Sequence, residues 1–361
     1  MTSSSIGSST HLVRNALTFS NIKRLLVIAA AAAGLAGCSA NPVYSTTGVV
    51  LSSYAETEAT PYVLEMTDAR MACSLGESLD PLVYSFGRVT APPATTGSLL
   101  MLLAANCSEY ELMEAELEFL RADYEGETRA AKHYREQVKR LNAEVANRRI
   151  LAFNRAMLAY DFNPSAETLE CPFLYNDQDE LTFMLGLVTG LQAIVNDANS
   201  GGVAGVPRNI APEAERAMRC LDNEKWGGIP NAVRAVVWLL LPDTRPSLSP
   251  DPWVVLQNSS QLGFDRGLRV SSALEIVAAE TFGRPEVKEQ AIASAAAAED
   301  SMEVSNAFPL LDAVAKRILV HASDKHWVAE YGYRTPSSEF GSLSPISQRS
   351  STKTMSLDGL L

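Results

Sequence analysis

The chain has 361 residues, with 30 Lys and Arg against 42 Asp and Glu, for a formal net charge of −12. Apolar residues at 47% and charged residues at 20% suit a chain that buries a core, which excludes intrinsic disorder over most of its length. The acidic balance excludes nucleic acid as a partner, because phosphate backbones demand a basic face.

The first element is an address. Lys23 and Arg24 precede an apolar run from Leu25 to Ala36, followed by Gly37 and Cys38. Such a run fits the h-region of a signal peptide and is too short to cross ~30 Å of hydrocarbon. Leu35-Ala36-Gly37-Cys38 resembles the bacterial lipobox, which predicts a signal peptide over 1–37 and Cys38 as the acylated N-terminus of the mature chain. A single acyl chain holds a protein only marginally; lipoprotein maturation attaches more than one, so Cys38 becomes a durable membrane contact. Ser39 follows in place of Asp, which points to the periplasm and the inner leaflet of a Gram-negative outer membrane. Loss of Arg14, Lys23 and Arg24 takes the mature chain from −12 to −15. Residues 38–60 are small and polar and predict a flexible stalk.

From 61 to 325 the pattern is helical. Residues 61–77 repeat apolar positions at three and four, and Asp80-Pro81 reads as a cap with a first-turn proline. Gly97–Tyr124 carries one broad apolar face. A turn at Tyr124–Thr128 then leads into a long helix from about Arg129 to Tyr160. In that helix Tyr134, Val138, Leu141 and Val145 step by four and three, the seam that two packed helices need. Glu125–Arg129, Glu136–Arg140 and Glu144–Arg148 are spaced as i,i+4 ion pairs, and the charge-dense surface reads as a solvated outer face. Together 97–160 predicts an antiparallel helical hairpin.

After a polar loop over 163–178, Leu181–Val195 is apolar almost all round and predicts a central buried helix. Gly186 and Gly190, four apart, would let a neighbouring helix approach closely. Asp197–Asn209 is glycine-rich and reads as a loop. Further helices fit 212–221, 229–241, 253–262, 268–282, 285–299 and 303–322, and composition predicts a disordered tail over 331–361. No sustained two-residue alternation occurs. The fold class expected is all-α, with stacked antiparallel helix pairs.

Cys73, Cys107, Cys171 and Cys220 remain in the mature chain, an even number in an oxidising compartment, with three possible connectivities. Nearest-neighbour pairing gives Cys73–Cys107 and Cys171–Cys220; buried free thiols are the other outcome. Catalytic patterns are missing. His133 lies on the charged helix, and His321 and His326 are five apart, not the four of a helical zinc pair. Asp197-Ala198-Asn199 opens like a calcium loop, but Arg208 stands where a bidentate Glu is required. No enzyme, metal or cofactor is expected. Phe183, Met184, Trp238 and Trp253 are the candidates to line a cavity for an apolar ligand.

Ala130-x-x-x-Tyr134 with Leu141-Asn142, and Ala217–Asp222, are partial matches to tetratricopeptide spacing. In order along 71–324, several segments resemble the T component associated with TRAP (tripartite ATP-independent periplasmic) transporters. These are Leu79-Asp80-Pro81, the Leu99–Tyr110 and Arg129–Tyr160 helices, Asp179–Thr182, Val206-Pro207, Ala217–Asp222 and the terminal helix through Ala315–Leu319. The chain departs from that family at Arg245–Pro252, where a Gly-Gly-Asp-Pro turn is the usual form. The resemblance implies a tetratricopeptide-like α-solenoid and a non-enzymatic lipoprotein. Its partner would be the periplasmic solute-binding protein of a TRAP transporter. Self-association into a homo-oligomer around an apolar passage is implied as well, the passage accepting an apolar or carboxylate-bearing solute. The competing expectation is a helical-repeat scaffold for cell-envelope assembly.

Overall fold

The computed structural model describes residues 41–299 and 301–345. The signal peptide, Cys38 and residues 346–361 lie outside the described residues. Those that are described form an all-α protein with no strand among them. In chain order the helices are α1 (Pro42–Tyr54), a π turn (Ala55–Ala59), α2 (Thr60–Leu64), α3 (Ala69–Ser85), α4 (Ala94–Tyr124) and α5 (Thr128–Ala159). Then come α6 (Asp177–Ser200), α7 (Ile210–Ala217), α8 (Ile229–Leu240), α9 (Pro252–Asp265), α10 (Val270–Thr281), α11 (Pro285–Glu299) and α12 (Pro309–Tyr331).

The expected hairpin is α4 with α5, joined by the short turn after Tyr124 and packed along their length. Glu144 and Arg148 form the expected ion pair at 2.9 Å, whereas Glu136 pairs with Lys139 at 3.0 Å. On its other side α5 packs against α6, and here the two glycines act. A Cβ on Gly186 would lie 2.4 Å from Ala156 Cβ, and one on Gly190 would lie 2.6 Å from the Phe153 ring. Gly190→Leu should therefore force these helices apart and destabilise the protein by about 3 kcal/mol, the upper end for overpacking. Urea unfolding measures this, and a loss under ~1 kcal/mol would show that the crossing gives way freely.

At 24 residues α6 is long and apolar enough to cross a bilayer by composition, yet 67% of its most apolar window is buried within the protein. It is the central helix of the core, as its apolar circumference predicts. Packing runs between chain neighbours through α3, α4, α5 and α6, and again through α8, α9 and α10. The terminal helix departs from that order: α12 packs on α10 and reaches back onto α4.

Several boundaries differ from the sequence expectation. The stalk over 38–60 is helical from Pro42 onward. Asn41 accepts the Val43 amide at 3.0 Å, Pro42 takes the first turn, and Gly48, Ser52, Ala55 and Ala59 make a buried face of small residues. Such a face has little hydrophobic contrast, so its composition resembles a linker while its packing is close: a Cβ on Gly48 would meet Thr90 Oγ1 at 2.9 Å. The predicted 61–77 helix is broken at Asp68, which caps α3 by accepting the Arg70 and Met71 amides at 3.0 Å. Pro81 lies inside α3 and starts no helix, and Asp80 instead forms a mostly buried ion pair with Arg155. The tail is ordered as far as the described residues run. Trp327 Nε1 donates to Ser342 O at 2.9 Å, His326 contacts Leu343 O at 2.9 Å, and Phe340 and Leu343 pack on the core.

Disulfides join Cys73 to Cys107 and Cys171 to Cys220. The first ties α3 to α4. The second ties the long loop after α5 to the end of α7, a loop also held by Arg216 donating to Pro164 O and Ala166 O at 2.6 and 2.9 Å.

Candidate ligand-binding cavity

Where α4, α6, α10 and α12 converge, their side chains line a partly open cavity of about 140 Å³. A single water needs only ~10–15 Å³, so this volume exceeds ordinary packing slack several times over. The wall is built from helical stripes. Leu99, Leu103 and Met113 come from α4, and Leu181, Leu185 and Val188 from α6. Val270, Leu274 and Val277 come from α10, and Val314 and Ile318 from α12. Each set recurs at three and four, with Asn106 and Tyr110 falling between Leu103 and Met113 on α4, the repeat that aligns side chains on one helix face.

The polar members of the wall are Asn106, Glu109, Tyr110, Arg149 and Gln192. Arg149 is only 5% exposed. Its Nη1 donates to Asn196 Oδ1, Asn196 Nδ2 donates to Asn142 Oδ1 at 2.9 Å, and Asn142 Nδ2 donates to Val138 O at 3.0 Å. Its Nη2 lies 3.2 Å from Glu109 Oε2, an ion pair approached off the N–H axis, so that oxygen has no hydrogen bond. Arg149 Nε and Tyr110 Oη are buried without a partner as well. Burial lowers the Arg149 pKa, and the neighbouring Glu109 carboxylate works against that shift. Burial pushes the Tyr110 hydroxyl up to about 12, against the pull of the Arg317 guanidinium stacked 4.0 Å from its ring centre. Tyr110 therefore keeps its proton at neutral pH and can donate.

Arg149 Nε and Tyr110 Oη are thus buried polar atoms without a partner in residues of the wall, and Glu109 Oε2 has only its ion pair with Arg149. Unmade hydrogen bonds at buried atoms each cost about 1–3 kcal/mol, so a ligand group that reaches them as the wall adjusts is favoured by up to that amount. Because Glu109 already neutralises Arg149, the best match is a neutral group that both donates and accepts.

The four candidates from the sequence are not brought together, and none lines this cavity. Phe183 and Met184 are fully buried on the core side of α6, with Phe183 edge-on to Tyr160 and Phe162. Trp238 donates from Nε1 to Glu215 at 3.1 Å, with Arg234 over its ring. Trp253 meets Phe282 and Arg284 on a separate, smaller cluster. A helix that is apolar all round carries no mark of which face turns to a cavity and which to the core, so Phe183 and Met184 lie on α6 away from this cavity while Leu181, Leu185 and Val188 line it. Arg149 went unnoticed within a charged surface. The seam Tyr134, Val138, Leu141, Val145 continues by its alternation to Arg148, so it does not single out Arg149.

The remaining polar candidates have structural partners. Asp197 accepts from the amides of Ala204, Gly205 and Val206 at 2.8, 3.2 and 3.0 Å, closing the glycine-rich turn after α6. His321 contacts Glu116 at 2.8 Å, and His133 is exposed. Among the described residues no group of three or more His, Cys, Asp or Glu is placed to hold a metal ion. Comparison with protein-family models, curated proteins and solved structures finds no match to this chain.

Proposed function

We propose that this protein is a non-enzymatic, lipid-anchored periplasmic lipoprotein that binds a small apolar molecule as an accessory to a TRAP-type solute transporter. The observation that carries ligand binding is the apolar cavity whose wall includes the polar residues Arg149, Glu109 and Tyr110. The ligand class is an aliphatic or aromatic molecule with a neutral head such as an alcohol or primary amide, in place of the carboxylate that the family resemblance implies. The transporter assignment, the solute-binding protein as partner and the tetratricopeptide-like stacking rest on the ordered segment matches along the sequence. Their support in the fold is helical class and neighbour-to-neighbour packing over much of the chain.

Two measurements test this. Titration of the detergent-free protein with 1-octanol, octanamide and octanoate should show the two neutral ligands binding at least ~10-fold more tightly than the anion. Val188→Phe, which adds bulk to the cavity wall, should remove that binding while the unfolding midpoint holds or rises. Equal or tighter binding of octanoate would return the carboxylate solute, and no binding by any of the three would remove the ligand reading. Co-purification of a solute-binding protein with the tagged chain tests the partner. Recovery of envelope-assembly factors alone would favour the scaffold.

A further inference from the structure

The outer face of α1 is uncharged, with Val43, Val50 and Tyr54 exposed on it and the small polar Thr46 and Ser53 between them. No Asp, Glu, Lys or Arg occurs from Asn41 to Ala55. The inner face is Gly48, Ser52 and Ala55, buried against the body. Diametrically opposite, at seven and four residues apart, stand Val43, Val50 and Tyr54, which are 66, 59 and 55% exposed. Beyond Tyr54 the surface changes, with Glu56 and Glu58 exposed on the π turn.

What covers this stripe is set by where the chain comes from. Only Ser39 and Ala40 separate Asn41 from Cys38, the residue that the lipobox marks for acylation. Four peptide steps from Cys38 to Pro42 span at most ~14 Å, so α1 begins within reach of the headgroups whatever the orientation of the body. We propose that α1 lies along the leaflet holding the Cys38 acyl chains, with Val43 and Val50 in the headgroup–acyl boundary and Tyr54 at headgroup level. This goes beyond tethering and rests on the lipoprotein reading of Cys38: the anchor plus a docked helix fixes which side of the helical body faces the membrane. Tyrosine suits its place, having an apolar ring and a hydroxyl that prefers water. Since the stripe carries no charge, its contact with lipid is insensitive to salt, unlike adsorption by a basic patch.

The test uses the full acylated chain with both disulfides intact, reconstituted in phosphatidylethanolamine–phosphatidylglycerol vesicles. Val50→Cys, Tyr54→Cys and, as a distal reference, Leu248→Cys (Leu248 is 97% exposed) each receive one nitroxide label. Labels at 50 and 54 should favour oxygen over a water-soluble nickel chelate by about fivefold relative to 248, at low and high salt alike. Labels at 50 and 54 as open to the chelate as 248 would overturn the docking while leaving the anchor in place. Spin–spin broadening between labels would overturn it in favour of a second copy of the chain. A labelled-fatty-acid assay run alongside reads the anchor alone, and a bare Cys38 there would overturn both.

Discussion

Cys171→Ala/Cys220→Ala should lose about 4 kcal/mol of unfolding free energy, the largest effect expected of any change away from the cavity. The bridge closes a span of 49 residues, and freeing it restores that much loop entropy to the unfolded chain. The loss has a second source in the native state. Residues 163–176 carry no helix, so the loop is held by the bridge together with Arg216, Ser165 donating to Glu213 on α7, and Leu169 and Leu174 on the core. Against a typical stability of ~5–15 kcal/mol, this brings the protein near its threshold. Urea unfolding of the oxidised protein and the double variant measures the difference, and reduction of the parent, which also opens Cys73–Cys107, should cost at least as much. A loss below ~1 kcal/mol would mean that the loop is held without the bridge.

Arg149→Met should be nearly as damaging, at about 3–5 kcal/mol, for a different reason. The guanidinium is buried between Glu109 and Asn196, and its removal leaves a largely buried carboxylate and an amide oxygen without their partner. Glu109→Gln, which leaves a buried cation, should cost a comparable amount. The double variant should recover part of both losses, since a buried pair removed whole costs less than one broken in half. A double-mutant cycle in urea reads the coupling directly. If both single changes cost under ~1 kcal/mol, the pair is solvated and the polar edge of the cavity is not the dry site described above. The same double variant should also alter ligand choice, because the donor and acceptor meant for a neutral head would both be changed.

Much of the fold was legible along the chain. The α4–α5 hairpin, the buried α6 and the close approach at Gly186 and Gly190 all follow from spacing of three and four, which helical geometry turns into faces. Segments without hydrophobic contrast were misjudged. The small-residue face of α1 and the Ser- and Gly-rich stretch after Tyr331 resemble linkers in composition. Both are held by partners remote in sequence, Thr90 for the one and Trp327 and Glu114 for the other. Proline was the other failure. Pro81 reads as the start of a helix, yet α3 is begun twelve residues earlier by the Asp68 cap and runs through it.

Periodicity acts between residues a turn or two apart, and within that range the order of amino acids already specifies helices, their apolar faces and an all-α chain. The cavity arises otherwise. It exists because α12 returns across the molecule to α4 and α10, leaving volume that none of those stripes fills, and because Arg149 joins the buried face of α5 beside Val145, Ala146 and Ala152. Both depend on how separate helices cross, a relation between residues up to two hundred positions apart that no local pattern encodes.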